Sequence, residues 1–217
     1  SRFLPLLFFV LISGILTLIW FRSGLLYGGA EMGVFSYNPQ RSLEIQQFVW
    51  WGDVAPGMLV PQFINAVPLY FFLSILQHIF SPLILQAILF FTLLFLMGYG
   101  MYLFSLEILG KERYKYALTA GLFYMFNSYM MVEVWHRFLY TGFFLAAFLP
   151  ILGLFWKYWI KKGVFIYLTI VLLINLISSY MFGNLTSFLV IWLLFFLLTV
   201  ADIFFPWQGK KNFIKLS

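Results

Sequence analysis

Residues 66–80, AVPLYFFLSILQHIF, decide how this chain is read. They are apolar, yet the run falls short of the roughly 20 helical residues that cross about 30 Å of hydrocarbon. Whether it crosses a membrane or lies along its surface sets the sidedness of everything downstream. Composition makes a membrane the right frame: 64% of residues are hydrophobic and 9% charged, and mean hydropathy is +0.98. Ordinary water-soluble domains do not reach such values. No stretch of about ten residues alternates apolar and polar side chains as barrel strands do, so the expected spans are helices.

Working outward, the candidate spans are Phe3 to Trp20, Leu83 to Ile108, Tyr116 to Val134, Leu139 to Trp156, Val164 to Met181 and Leu185 to Phe205. Ser81-Pro82 marks a fresh helix start, with serine as N-cap and proline in the first turn. The first run follows Ser1-Arg2 and lacks a small-residue cleavage site, which fits a spanning helix or signal anchor better than a cleaved leader. The missing initiator Met suggests that a few residues precede it. With no internal repeat and no low-complexity linker, residues 1–217 read as a single polytopic domain.

Charge chooses between topologies, because Lys and Arg beside spans favour the cytoplasmic side. If 66–80 crosses and the N-terminus is inside, Lys111, Arg113, Lys115, Lys157, Lys161, Lys162, Lys210, Lys211 and Lys215 all fall outside. If 66–80 instead lies on the outer interface, those nine join Arg2 inside, ten of the thirteen basic residues, leaving Arg22, Arg41 and Arg137 outside. The expectation is an all-α membrane protein of about six transmembrane helices with both termini cytoplasmic. Its outer-face loop, 21–81, carries an interfacial helix at 66–80. A seven-span chain with its N-terminus outside also buries most charges inside, and remains the structural alternative. The net charge of +6 resides in short loops next to spans, so it is read as orientation signal and no nucleic-acid partner is expected. Absence of cysteine excludes disulfides and thiol catalysis.

The loop preceding 66–80 holds Glu31, Glu44 and Asp53, three of seven acidic residues. Glu31 is flanked by Gly28-Gly29 and Gly33, which permit tight turns and leave room for a substrate. It is a candidate general base or metal ligand, against the plainer reading of a solvated loop carboxylate. Asp53 follows Trp50-Trp51, a pair suited to stacking a sugar ring or simply to an interfacial aromatic belt. Glu44 reads as the start of an amphipathic helix capped by Ser42. The corner Glu133-Val134-Trp135-His136-Arg137 is the second polar concentration: Arg137 and His136 could bind a lipid-linked phosphate, or Glu133 and Arg137 could form an i,i+4 pair without substrate. The lysines of the other loops are read as orientation charges, and Asp202 as a partner for a tail lysine.

The order of these elements resembles the GT-C superfamily of polytopic membrane glycosyltransferases. Asn65-Ala66-Val67-Pro68-Leu69-Tyr70-Phe71-Phe72 is similar to the "PPLYY" juxtamembrane helix of the protein mannosyltransferase and aminoarabinose transferase group. Tyr27-Gly28-Gly29-Ala30-Glu31 with Tyr37-Asn38-Pro39 is similar to the "GGD…NP" opening of prokaryotic relatives of the arabinofuranosyltransferases, and Phe123-Tyr124-Met125-Phe126-Asn127-Ser128-Tyr129 to their "Y-x-x-SPY" segment. The resemblance implies transfer, with inversion, of a sugar from a polyprenyl-phosphate donor to an acceptor at the outer face of a prokaryotic plasma membrane. In that role Glu31, where the family has Asp, is the base and Asp53 its helper, while Arg137, His136, Glu133, Trp50 and Trp51 bind substrate. A divalent metal such as Mg or Mn would be held by Glu31, Asp53 or Glu133. Members of the family are usually longer, so the chain is expected to be a fragment or truncated core. A polar-lipid transporter or flippase, and a non-catalytic membrane scaffold, are the other classes compatible with the sequence.

Overall fold

The computed structural model describes residues 3–28, 36–48, 50–51, 58–59, 61–137, 139–183 and 185–204, with backbone alone at 50–51, 58–59, 61–63, 111 and 133–134. The fold is helical: α1 (Phe3–Phe21), α2 (Pro39–Gln46), α3 (Val67–Leu76), α4 (Pro82–Leu109), α5 (Tyr114–Phe126), α6 (Tyr140–Lys162), α7 (Phe165–Ile177) and α8 (Leu185–Phe204). A two-residue antiparallel bridge sets β1 (Trp50–Trp51) against β2 (Met58–Leu59), with Trp50 opposite Leu59. Among the described residues, α1, α4, α6 and α8, of 19, 28, 23 and 20 residues, are long and apolar enough to cross a membrane. At 1.5 Å per residue even α1 reaches about 28 Å.

The runs expected as continuous helices at 116–134 and 164–181 are instead each divided. α5 ends at Phe126, and a π-helical segment follows at Met130–Trp135. Asn127 causes the break: its amide donates to Tyr124 O at 2.9 Å and its carbonyl accepts from Met130 N at 3.0 Å, replacing main-chain partners. α7 ends near Ser178, whose hydroxyl donates to Ile174 O at 2.6 Å, and a 3-10 segment follows at Ser179–Gly183. Polar side chains that bond the local backbone compete with the helical ladder in this way.

Other ends follow the sequence closely. Ser81 caps α4 by accepting from Ile84 N at 3.5 Å, with Pro82 at its first position. Gly110 (φ 90°) and Gly163 (φ 68°) end α4 and α6 in conformations that side chains with a Cβ resist. The cap of α2 is Asn38, not Ser42: Asn38 Oδ1 accepts from Arg41 N at 3.0 Å and Pro39 opens the helix. Ser42 lies one turn inside and turns toward α3.

α4 packs against α1, α5 and α6, and α6 against α7 and α8. Close approach rests on small residues. A Cβ on Gly121 would stand 2.7 Å from both Gly98 O and the Phe9 ring, and one on Gly100 would stand 2.8 Å from Ile151. Where lipid removes the hydrophobic incentive for helices to associate, such dense van der Waals contact holds them together. α4 and α6 are 44% and 50% buried over their most apolar windows, whereas α1 and α8 are each 22% buried. The outward faces of these two carry Leu4, Leu11, Leu18, Phe188, Phe196 and Phe204, all exposed. Apolar surface on that scale is matched to hydrocarbon rather than water.

The helices run alternately, so the polar residues collect at two ends. One, the loop end, gathers Trp20, Tyr27, Asn65, Gln86, Trp135, Tyr140 and Tyr180. The other, the basic end, gathers Glu107, Lys157, Lys161, Lys162 and Asp202.

Candidate functional site

At the loop end the chain leaves α1 and is clamped before it reaches the glycine-flanked Glu31. Gln86, fully buried in α4, presents its amide side-on to one peptide. Its Oε1 accepts from Tyr27 N at 2.8 Å and its Nε2 donates to Tyr27 O at 2.6 Å. Tyr140, the first residue of α6, donates its hydroxyl to the same carbonyl at 2.8 Å. The Tyr27 hydroxyl in turn donates to Trp20 O. Three helices thus fix one residue, four positions before Glu31. A buried peptide group must find partners, and here side chains supply what a helix or sheet otherwise would.

Beside the clamp, α2 and α3 form a small layer across the end of the bundle. Tyr70 of α3, 2% exposed, hydrogen-bonds Ser42 and Gln46 of α2. Burial pushes its phenol up to about 12, and the two hydrogen bonds oppose this. Gln40 N donates to Gln77 Oε1 at 3.4 Å, joining the same helices. Leu69 meets Tyr140, Phe144 and Tyr180 in a gap with no room for a water-sized molecule, so α3 is sealed onto α6. Glu44 pairs with Arg41 at 3.3 Å on the exposed side of α2, in the last turn of that helix rather than at its start, because the helix begins four residues earlier than Ser42 would have it.

The corner after α5 is the third component. The Trp135 indole lies edge-on to Trp20 (5.3 Å) and to Phe126 (5.5 Å), tying the corner to the top of α1. Its Nε1–H is buried and has no acceptor among the described residues. His136 and Arg137 follow it and are exposed. The backbone here is π-helical, with His136 N donating to Met131 O at 3.2 Å.

Of the residues singled out from the sequence, Glu31 and Asp53 lie outside the described residues. Trp50 and Trp51 are described as the backbone of β1, and Glu133 as backbone in the π segment. What the fold brings together is Tyr27, preceding the Glu31 loop, with Trp20 and, through it, the Trp135-His136-Arg137 corner. Among the described residues no cluster of three or more His, Cys, Asp or Glu is arranged to hold a metal. The side chains proposed for that role, Glu31, Asp53 and Glu133, are not among them.

Sequence reading missed Gln86 and Tyr140. Gln86 carried a usable signal, a lone amide inside ILQAIL, since polar groups inside spans are costly and rarely idle. The contacts of Lys157, read as an orientation charge, were also not foreseen. Lys157 is 5% exposed and donates to Glu107 O at 3.0 Å, and it attracts both Glu107 and Asp202. Asp202, 7% exposed, therefore has Lys157 as a neighbour within the fold; the tail lysines expected to pair with it lie outside the described residues. Family models, curated proteins and solved structures were each compared with the chain, and none matches it.

Proposed function

We propose that this chain is the membrane core of a glycosyltransferase that moves a sugar from a polyprenyl-phosphate donor to an acceptor at the outer face of a prokaryotic plasma membrane. In this reading α5 with the π segment, and α7 with the 3-10 segment, complete six spans. α3 lies along the outer interface and both termini face the cytoplasm. Glu31 takes the acceptor proton, Asp53 assists, and His136 and Arg137 meet the donor phosphate. Resemblance of the VPLYFF and YGGAE segments to the GT-C superfamily supplies the chemistry.

One structural observation carries the reading furthest. The clamp on Tyr27, the α2–α3 layer and the Trp135-His136-Arg137 corner occupy one end of the bundle, while Lys157, Lys161 and Lys162 occupy the other. That segregation supports a sided molecule with an acid-bearing loop opposite its orientation charges. The 10 residues of α3 span about 15 Å, half the thickness of the hydrocarbon, which supports an interfacial placement.

The deciding experiment is transfer from labelled polyprenyl-phosphate sugars in reconstituted vesicles. Loss of a general base typically removes a hundredfold to ten-thousandfold in rate, so Glu31→Gln should nearly abolish transfer, with Arg137→Ala weakening donor use. Unchanged turnover in the Glu31 variant removes the assignment. Cysteine placed at position 44 should label from outside only, in a chain with no native cysteine.

A polar-lipid transporter is the second reading, favoured by the buried Lys157 and Asp202, since ionisable groups within spans commonly line transport paths. Flux of a labelled lipid without sugar transfer would select it.

A further inference from the structure

Residues 22–25, between α1 and Tyr27, are exposed, and backbone groups in such a turn are satisfied by water without help from the protein. Tyr27 is treated differently. Gln86, from inside α4, takes both its N–H and its C=O, at 2.8 and 2.6 Å, and Tyr140 adds a third bond to the carbonyl at 2.8 Å. Two side chains that are 0% and 1% exposed are thus committed to a single connecting residue.

The arrangement sets more than a position. The N–H and C=O belong to the peptides on either side of the Tyr27 Cα, and one planar amide meets both, so the direction in which the chain leaves is fixed as well. Gln86 Nε2 also donates to the Tyr140 hydroxyl at 3.4 Å, closing the triangle. The Tyr27 side chain is held too, its hydroxyl on Trp20 O and its ring edge-on to Phe21 at 5.3 Å. Trp20 in turn meets Trp135, two residues before Arg137, at 5.3 Å. The start of the acid-bearing loop and the corner that carries His136 and Arg137 are therefore referenced to the same residue of α1.

Polar groups buried in a span are costly and rarely idle. We propose that Gln86 and Tyr140 are positioning residues for the sugar transfer: by fixing Tyr27 they set where, and in which direction, the chain enters the loop that carries the base. This inference rests on the proposed function. It places the effect on turnover, because an interaction that orients reacting groups is felt in the transition state and not in donor binding.

The test measures kcat and donor KM for transfer from a labelled polyprenyl-phosphate sugar in reconstituted vesicles, per folded molecule. Gln86→Met keeps the length of the side chain and removes both of its bonds to Tyr27. A misplacement on the order of 1 Å can cost about a hundredfold, so kcat should fall by up to that factor, with donor KM within about twofold of wild type. Tyr140→Phe leaves both Gln86 bonds to Tyr27 and should give a smaller fall of the same kind. Gly100→Ala controls for stability alone: its Cβ would stand 2.8 Å from Ile151, further along α4 and away from the clamp, and kcat should stay at the wild-type value. Spin labels on cysteines at positions 28 and 115, both exposed in a chain with no native cysteine, report the clamp independently of activity. Their distance distribution should be narrow in the wild type and broad in Gln86→Met. Unchanged kcat in Gln86→Met, an equal fall in Gly100→Ala, or an unchanged distance distribution would each overturn the positioning role while wild-type transfer leaves the proposed function intact. A wild type that transfers no sugar would instead strike the proposed function, and this role with it.

Discussion

The two ends of the bundle solve one problem in opposite ways. At the loop end the buried polar groups are neutral and serve the backbone: Gln86 and Tyr140 converge on the Tyr27 peptide. At the basic end they are charged and serve each other, with Lys157 between Glu107 and Asp202. Neutral pairs hold a chain segment at modest desolvation cost. Charged groups are expensive to bury and are tolerated only while compensated, so each one depends on its neighbours. The loop end is therefore built to position a segment, and the basic end to lock helices α4, α6 and α8 in register.

The sharpest way to break this contrast is Lys157→Met. It leaves Asp202 buried without the attraction of Lys157, and removing one partner of a buried charge set typically costs about 3 kcal/mol or more. Thermal unfolding in mild detergent should show this as the largest loss among the variants considered. Adding Asp202→Asn to it should recover much of the loss. If the double variant is no better than the single one, the charges are not coupled. Gln86→Leu is the matching change at the loop end and should cost less, about 1–3 kcal/mol for unsatisfied peptide groups at Tyr27. It should also raise protease sensitivity in the segment after Tyr27, which Lys157→Met should not.

Tyr70 tests the α2–α3 layer. Tyr70→Phe forfeits the hydrogen bonds to Ser42 and Gln46, about 1 kcal/mol. Its pH dependence has a definite sign. The phenol titrates near 10 when unfolded and is pushed up to about 12 in the fold, so the unfolded chain sheds the proton first. Stability is full below pH 10 and falls as pH rises toward about 12. Phenylalanine at 70 should remove that part of the alkaline loss, measured as a difference between the melting curves of the two proteins.

The sequence carried the long elements and lost the local ones, for physical reasons. α1, α4, α6 and α8 were legible because twenty apolar residues in a row have few other uses, and Ser81-Pro82 and Gly163 punctuate them plainly. The breaks at Asn127 and Ser178 were not legible, because each depends on one side chain turning back to bond its own helix, which leaves no trace in hydropathy. The burial of Lys157 was hidden by its company: Lys161 and Lys162 lie at the helix end, but a residue four or five positions earlier sits a full turn deeper. The cap of α2 falls at Asn38, four residues before the serine that the pattern suggests, because Asn38 Oδ1 reaches Arg41 N and Pro39 opens the helix. At the candidate site, Trp135 was visible as part of a polar corner, whereas its seat between Trp20 and Phe126 joins residues more than a hundred positions apart.

The smallest expected effect sharpens the comparison most finely, because an ion pair at each end can be set against the other. Arg41–Glu44 is 3.3 Å long, with the side chains 60% and 49% exposed, and spans a single turn of α2. Lys161–Glu107 is 2.9 Å long, 37% and 20% exposed, and joins α6 to α4. Water screens the first almost completely, and its partners are already close because the helix holds them there; a double-mutant cycle should give about 0.3 kcal/mol, falling with added salt. The second has less water and links separate helices, while its carboxylate also receives Tyr158. Its coupling energy should be the larger, up to about 1 kcal/mol, and should resist salt better. Equal couplings with equal salt dependence would mean that the basic end is no more locked by charge than the loop end, and the division of labour between the two would fail at its weakest link.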